Sequence, residues 1–498
     1  MLKIPENIFD QNDRLRTVLP PKVLDKMPTF APMMHYSTHD LNDTIVALAT
    51  PSGVGAIGVI RLSGKDAIGI VDQLFPGKKL AEQATHTLHF GTIRDRKNTI
   101  VDEVVVSLFK GPKSYTGEDV VEVSCHGSSY IIQQLIQLFI DTGARLAQPG
   151  EYTLRAFLNG RMDLSQAEAV ADLIASSSEA SHALALRQMR GGFSDEIQQL
   201  RQQLLDFASL IELELDFSEE DVEFANRDEL RKLVEKIKGL IRSLIQSFQL
   251  GNAIKQGVNT VIAGRPNAGK STLLNALLNE ERAIVSDIAG TTRDTIEETL
   301  NIQGIQFRMI DTAGIREAQD QIEAIGVEKT MAKIEQSSIL VYLFDAANTP
   351  PADVRTDLER LHREGLHLLV VANKMDRNPY AKAEDFLSLE DREKFTWVPV
   401  SAINRMNIEY LKELLYQSVV DEKVQLDSPI VSNARHYAAL QKAYESLDDV
   451  QKGLDSGITS DFIAMDIRRA LAFLAEITGG VSTDDLLGNI FGRFCIGK

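Results

Sequence analysis

Apolar positions recur along this chain with two periods, and the switches between them divide it. Thr44–Ala49 and Ala56–Leu62 are short β-branched runs around a Pro51-Ser52-Gly53 turn and predict two strands. Ala67–Leu74 predicts a helix, His89–Ile93, Glu103–Phe109 and Val120–Ser124 three further strands, and Ser129–Thr142 a second helix. From Leu164 the spacing changes to three and four, so that Leu164–Ala183, Ile197–Leu215 and residues 227–249 predict long amphipathic helices. Val258–Ala263, Ile305–Ile310, Leu368–Ala372 and Thr396–Val400 then read as strands alternating with helices until about residue 420. Helical spacing returns at Ala434–Leu454 and Asp461–Ile477.

This order predicts an α+β N-terminal domain, an all-α helical domain, and an α/β P-loop domain inserted into the helical one. The boundaries expected are 43–158 for the first domain, 159–255 and 421–498 for the two helical parts, and 256–420 for the insertion. Residues 1–42 carry Pro20-Pro21, Pro28, Glu6, Asp10, Asp13 and Asp25 without a period, which predicts a disordered extension and speaks against a secretory or transit peptide. Met33 or Met34 is an alternative start.

Composition narrows the classes. Hydrophobic content of 44% and charged content of 25% are those of a globular protein, and no apolar run is long enough to span a membrane. With Cys125 and Cys495 as the only cysteines, neither a disulfide framework nor a structural zinc site is expected, which fits a reducing cytoplasm. A net charge of −18 excludes a broadly basic nucleic-acid-coating surface, though not a local patch. Part of the acidic excess lies in Glu212–Phe224, read as a solvated helix end and loop.

The candidate chemistry centres on Gly264-Arg265-Pro266-Asn267-Ala268-Gly269-Lys270-Ser271, a full G-x-x-x-x-G-K-S phosphate loop between a predicted strand and a predicted helix over Ser271–Leu278, whose Thr272 joins the GTP-binding candidates. Its amides form an anion nest, Lys270 reaches β- and γ-phosphates, and the Ser271 hydroxyl suits Mg²⁺. Asp311-Thr312-Ala313-Gly314 ends the strand Ile305–Ile310, where a carboxylate can hold Mg²⁺ through water and Gly314 can meet the γ-phosphate. Between them lies a polar switch-like stretch, Ser286, Asp287, Ile288, Ala289, Gly290, Thr291, Thr292, Arg293 and Asp294. Asn373-Lys374-Met375-Asp376 follows an apolar strand. Its Asp376 would accept guanine N1–H and the exocyclic amine, a pattern adenine lacks, while Asn373 ties the base site to the P-loop and Lys374 covers the base plane. Ser401-Ala402 supplies a backbone N–H for guanine O6. Five such segments in this order predict a guanine-nucleotide switch.

Ile315 stands where Ras-like enzymes place the glutamine that orients attacking water, so something else must position it. Asn267 and the carbonyls of the Ser286–Thr291 loop offer oxygen ligands for a monovalent cation beside the phosphates. Equally, Asn267 serves only to shape its loop. By composition Glu323 is an exposed glutamate at a helix start, and Cys495 a small buried apolar group.

The segments together resemble the tRNA-modification GTPase family called MnmE or TrmE, from Asp43 to Lys498. The resemblance is carried by Asp43–Pro51, Ser114–Asp119, Gly150–Leu164 and the terminal Gly492-Arg493-Phe494-Cys495-Ile496-Gly497-Lys498. It implies an N-terminal domain that binds a tetrahydrofolate derivative and forms a homodimer, a discontinuous helical domain, and an inserted Ras-like G domain. It further implies an FAD-dependent MnmG/GidA-type partner in a heterotetramer, and installation of an aminomethyl-type group at carbon 5 of a tRNA wobble uridine. Carried over by position, Asn267, Ser286, Ile288 and Thr291 fall on the family's K⁺ site, and Ser271 and Thr292 on Mg²⁺. Glu323 falls on the acidic residue that orients catalytic water, and Arg61, Glu122, Arg161 and Lys498 on folate contacts. Family members often carry threonine at Ser286 and lysine at Arg161, so a hydroxyl and a positive charge are kept. Cys495 falls in a terminal hallmark, as a candidate catalytic residue, and only loosely resembles a prenylation box because Lys498 is a poor final residue.

Two rival functions share parts of this pattern. A ribosome-assembly GTPase can carry the Gly290–Asp294 loop but usually adds a basic RNA-binding module, and a purely regulatory GTPase would keep a folate fold as a relic. The water-orienting role predicts that Glu323→Ala leaves GTP affinity near normal and slows hydrolysis by about a hundredfold or more. Single-turnover hydrolysis beside equilibrium binding checks it, and unchanged turnover refutes the role.

Overall fold

The computed structural model describes residues 42–192, 194–216, 226–278, 297–311, 337–363, 365–420, 429–481 and 483–497. They group into two compact units, residues up to 161 with those from 482 onward, and residues 162–481.

The first unit is built on strands β1 (Ile45–Leu48), β2 (Ile57–Ser63), β3 (Thr87–Arg94), β4 (Ile100–Phe109), β5 (Val120–His126) and β6 (Arg145–Leu146), in the order β3-β4-β5-β2-β1-β6. All pairs are antiparallel except β1–β6. Alternation along β4 and β5 sends Val104, Val106, Leu108, Val121 and Val123 to one face. Helices α1 (Ala67–Leu74) and α2 (Ser129–Asp141) cover that face with Ile68, Val71, Ile132, Leu135 and Phe139.

Helix α3 (Glu151–Leu158) follows, and the chain's last helix returns to pack on it, with the Phe157 and Phe491 rings 6.5 Å apart. Gly150 makes this contact possible. Its φ is +70°, and a Cβ there would sit 2.5 Å from the Phe491 carbonyl oxygen. Residues 483–497, expected with the second helical part, are therefore grouped with the first unit.

In the second unit the single helix expected over Leu164–Ala183 is two, α4 (Leu164–Ala175) and α5 (Glu179–Met189). The break falls at three consecutive serines. The Ser178 side chain accepts from the Ser181 amide and starts a new helix, a local bond that competes with continuing the old one. Helices α6 (Ser194–Asp216) and α7 (Arg227–Gln256) follow, and α7 passes through Gly257 straight into β7 (Val258–Gly264).

Helix α8 (Lys270–Leu278), β8 (Glu297–Ile302), β9 (Ile305–Asp311), β10 (Ile339–Asp345), α9 (Pro351–Leu361), β11 (His367–Asn373), α10 (Ala383–Phe386), α11 (Leu389–Lys394), β12 (Thr396–Pro399) and α12 (Ile408–Gln417) complete the inserted part. Its sheet order is β12-β11-β10-β7-β9-β8, parallel except for β8. Strand β8 alternates polar residues with buried Leu300 and Ile302, and both it and β10 lie outside the expected strands. A two-residue turn places it, with Gln303 and Gly304 both at positive φ joining Ile302 to its partner Ile305. Helices α8 and α12 cover one face of the sheet, α9 and α10 the other.

Helices α13 (Ala434–Ser456) and α14 (Ser460–Thr478) then rejoin α6 and α7 in one apolar bundle, so residues far apart in sequence close across the insertion. Helix α15 (Asp484–Phe491) belongs to the first unit. Among the described residues no helix is long and apolar enough to cross a membrane.

A buried polar clasp locks the bundle. Arg435, just past the Asn433 cap of α13, donates to both Glu168 oxygens of α4, at 3.0 and 2.8 Å, and to the Ile477 carbonyl at the end of α14. His436 Nε2 lies 2.7 Å from Glu168. Burial would raise the Glu168 pKa, but the bonds and charge of its two partners hold it at about 2. Burial lowers the His436 pKa against the pull of Glu168.

A carboxyl whose folded pKa is depressed stabilises the fold above its ordinary 4.5, and that stability is lost as pH falls toward 2. The clasp is accordingly worth about 3 kcal/mol at neutral pH. Glu168→Gln should lose about that much at pH 7, by leaving the Arg435 charge unpaired, and should flatten the acid limb of stability below pH 5. Urea unfolding followed by circular dichroism from pH 7 to 3 reads both.

Candidate functional site

The parallel strands β7, β10 and β11 end together, and the site is assembled on those ends. Register pairs Leu343 with Gly264 and Asp345 with Asn373, so the P-loop, the end of β10 and the Asn373–Asp376 segment emerge side by side. Strand β9 brings the Asp311 backbone level with Ile262, two residues before the P-loop. The P-loop runs from Gly264 into the first turn of α8, which presents Lys270, Ser271 and Thr272 at a helix N-terminus. Ser271 and Thr272 are accessible there.

The Lys270 ammonium donates to the carbonyls of Gly264 at 2.6 Å and Arg265 at 3.0 Å, folded over the loop it belongs to. Arg265 pins the loop's outer edge to α9, bonding Asp353 at 2.5 Å and Asp357 at 2.8 Å, and the Tyr342 hydroxyl donates to the same Asp357 carboxylate at 2.7 Å.

Asn373 joins the P-loop to the base loop. It is buried; its Nδ2 donates to the Ala268 carbonyl at 2.8 Å, and its Oδ1 accepts from the Ala402 amide at 3.0 Å. Gly269 leaves room for it, because a Cβ there would lie 2.4 Å from Asn373 Nδ2. The buried Ser401 hydroxyl donates to the exposed Asp376 carboxylate at 2.6 Å and so orients the group expected to read guanine. The Met375 amide donates to Val400, fixing the two loops against each other. Lys374 donates to the Asn267 carbonyl at 2.8 Å and to Asp345 at 2.7 Å.

Sequence reasoning missed Asp345, Asp353 and Asp357. Asp345 had a signal, because it ends a buried apolar strand just as Asn373 does. The other two carry none, since only the fold brings them to Arg265. Ser286, Asp287, Ile288, Ala289, Gly290, Thr291, Thr292, Thr312, Ala313, Gly314, Glu323 and Lys498 lie outside the described residues, and Asp311 is described only by its backbone.

The first unit holds the second candidate cluster. Arg61 on β2 and Glu122 on β5 are register partners and pair at 2.8 Å. Arg61 also reaches the Gly497 carbonyl at 3.4 Å and lies against the faces of Tyr115 and Tyr152, 5.5 and 5.6 Å from the ring centres. The Tyr152 hydroxyl donates to the Arg61 carbonyl. The stem of Arg161 lies beside Gly117 on the same unit. Cys495 is exposed, against the expectation of a small buried group, because the terminal turn anchors through the Gly150 amide, which donates to the Cys495 carbonyl, and not through its thiol. Cys125 is the buried cysteine, and burial pushes its thiol up to about 11. Among the described residues no three histidine, cysteine or acidic side chains gather as a metal site.

A family model described as the MnmE helical domain matches residues 164–495, and one described as the GTP-binding protein TrmE N-terminus matches residues 44–161. The tRNA modification GTPase MnmE of Cytophaga hutchinsonii is 58% identical over 456 residues, covering 92% of this chain and 98% of its own. That of Christiangramia forsetii is 55% identical over 475 residues, covering 92% and 100%. Among solved structures, a variant of Aquifex aeolicus Era bound to GDP·AlF4⁻ is 28% identical with a TM-score of 0.26, over 38% of this chain and 66% of that one. By both family models and by identity across nearly the whole length, the chain belongs to the MnmE family of tRNA modification GTPases.

Proposed function

We propose that this GTPase, as a homodimer joined to an FAD-dependent MnmG/GidA-type protein, adds a (carboxymethyl)aminomethyl group at carbon 5 of the wobble uridine of certain tRNAs. The one-carbon unit comes from a tetrahydrofolate derivative. The observation that carries the reading is the pairing, in one chain, of a guanine-type site tied together by Asn373 with an arginine cluster closed by the chain's own terminus.

In the nucleotide site, Asp376 held by Ser401 reads the base, and the P-loop amides and Lys270 take the phosphates. Lys270 has to leave the Gly264 and Arg265 carbonyls to do so, which exchanges neutral acceptors for charged ones. Exposed Ser271 suits Mg²⁺, with Thr292 as its second protein ligand. Asn267 is exposed at φ +63° with its carbonyl engaged by Lys374, so its side chain is the part left to meet K⁺, beside Ser286, Ile288 and Thr291. A K⁺ ion held by these residues would supply positive charge at the phosphates in place of an arginine finger, within a GTP-dependent pairing of two G domains that activates hydrolysis, and Glu323 would orient the attacking water. Hydrolysis then resets the switch loops and drives the modification step. In the first unit, Arg61 and Glu122 present one cation and one carboxylate, both partly exposed, on two adjacent interior strands, a donor–acceptor set that fits a pterin ring. Arg161 and Lys498 suit the folate's carboxylates. The folate supplies the carbon atom, and these residues bind and orient it. The reaction is placed in the cytoplasm.

Two outcomes are expected. Asp376→Asn should weaken GTP binding by on the order of a hundredfold and gain xanthosine triphosphate, because the amide now donates where the carboxylate accepted. Competition of the two nucleotides for the purified chain measures it, and an unchanged preference refutes the base-site assignment. Deleting the protein should remove 5-substituted wobble uridines from bulk tRNA, by nucleoside mass spectrometry, with recovery by the intact chain and not by Arg61→Ala. An unaltered nucleoside profile with disturbed ribosome assembly would favour an assembly GTPase instead.

A further inference from the structure

Asp345 closes β10 level with Asn373 and is buried. One carboxylate oxygen accepts from the Ala347 amide at 2.9 Å. The other accepts from the Asn348 side chain at 2.9 Å and from the Lys374 ammonium at 2.7 Å. Lys374 uses a second donor on the Asn267 carbonyl at 2.8 Å. The ammonium is thus fixed between a carboxylate that cannot turn and a carbonyl of the P-loop. Both Lys374 and Asn267 sit in the left-handed region, at φ +65° and +63°; asparagine adopts it readily, whereas a lysine holds it at a cost that its surroundings offset.

A lysine stem free at its far end samples many rotamers, and ordering it on each binding event would cost affinity. Here the order exists beforehand, and Asp345 provides it. We infer that Asp345 is a positioning residue that sets how long a guanine nucleotide stays bound, by pinning Lys374 along the base site and, through it, the P-loop carbonyl of Asn267. This rests on the guanine-site reading above. Asp345 also anchors the turn at Ala347 and Asn348, so a structural role has to be separated from this one.

Asp345→Asn makes the separation. The amide keeps an acceptor for Ala347 and turns an N–H₂ toward Lys374, which then has no carboxylate to hold it. Stopped-flow release of N-methylanthraniloyl-GDP from the full chain is the measurement, for the unaltered protein, Asp345→Asn, Lys374→Met and the double variant. Release should quicken about tenfold in Asp345→Asn and at least as much in Lys374→Met, by loss of one charge-assisted bond. The double variant should release no faster than Lys374→Met alone, because Asp345 acts through that lysine. Rates that multiply in the double variant, or unchanged release from folded Asp345→Asn, overturn the inference. Should Asp345→Asn fail to fold, Asp345→Glu is read the same way, with release between the unaltered chain and Lys374→Met expected and unchanged release contradicting it. An unaltered chain that takes up no labelled GDP overturns the guanine reading and this role with it, whereas uptake with multiplying rates overturns this role alone.

Discussion

One side-chain amide holds the nucleotide site together. Asn373 uses both ends of its amide, one on the P-loop and one on the Ser401-Ala402 loop, and both bonds are buried. A buried amide that lost either partner would leave a polar group with no water to replace it, so the two loops are held at one separation. That separation also depends on an absence, since only a glycine at 269 leaves space for the amide to approach. Asn373 is placed by the register of β11 against β10 and of β10 against β7, which makes the sheet a frame that sets the spacing of the loops. The chemistry is then delegated to loop residues on rigid strand ends.

A similar constraint governs how the insertion is tolerated. Helix α7 and β7 are continuous through Gly257, so the G domain's central strand starts from the bundle itself. Leu184, Leu250, Ile254 and Ile430 from the helical side share the apolar core of α8 and α12. Seating the sheet there removes apolar surface from water on both parts at once, at roughly 25 cal/mol per Å². The Arg435–Glu168 clasp then closes the bundle behind the insertion, joining residues 267 apart. The insertion is thus tied to the helices at both of its ends, at Gly257 on entry and through the Val431 amide on Ser247 on return.

The strand and helix periods gave most elements within a few residues, because one face of each is buried and the spacing of apolar side chains records it. Strand β8 buries only Leu300 and Ile302 among polar neighbours, too short an alternation to stand out, apolar β10 was passed over, and the break at Ser176–Ser178 comes from hydroxyls that bond locally instead of propagating α4. The return of residues 483–497 to the first unit rests on the Phe157–Phe491 ring pair, a missing Cβ at Gly150 and bonds to the Cys495 and Gly497 carbonyls, none visible as a pattern. At the site, Asn373, Asp376, Lys374, Lys270 and Ser401 were legible because their spacing is dictated by the nucleotide. Asp345 and the aspartates on Arg265 were not, because they serve other side chains and are constrained by geometry alone.

A chain of net charge −18 that handles a polyanionic nucleotide must concentrate its positive charge where it is used. The site cations are all captive: Lys270 on P-loop carbonyls, Lys374 between Asp345 and Asn267, Arg265 between two aspartates, Arg61 on Glu122. Their ordering has been met during folding, so binding does not meet it again. Each carboxylate partner also offsets the charge it orients, which keeps the local field from becoming a general polyanion trap. Lys270 donates to the Gly264 and Arg265 carbonyls, neutral acceptors that a phosphate oxygen can replace with a stronger, charge-assisted bond.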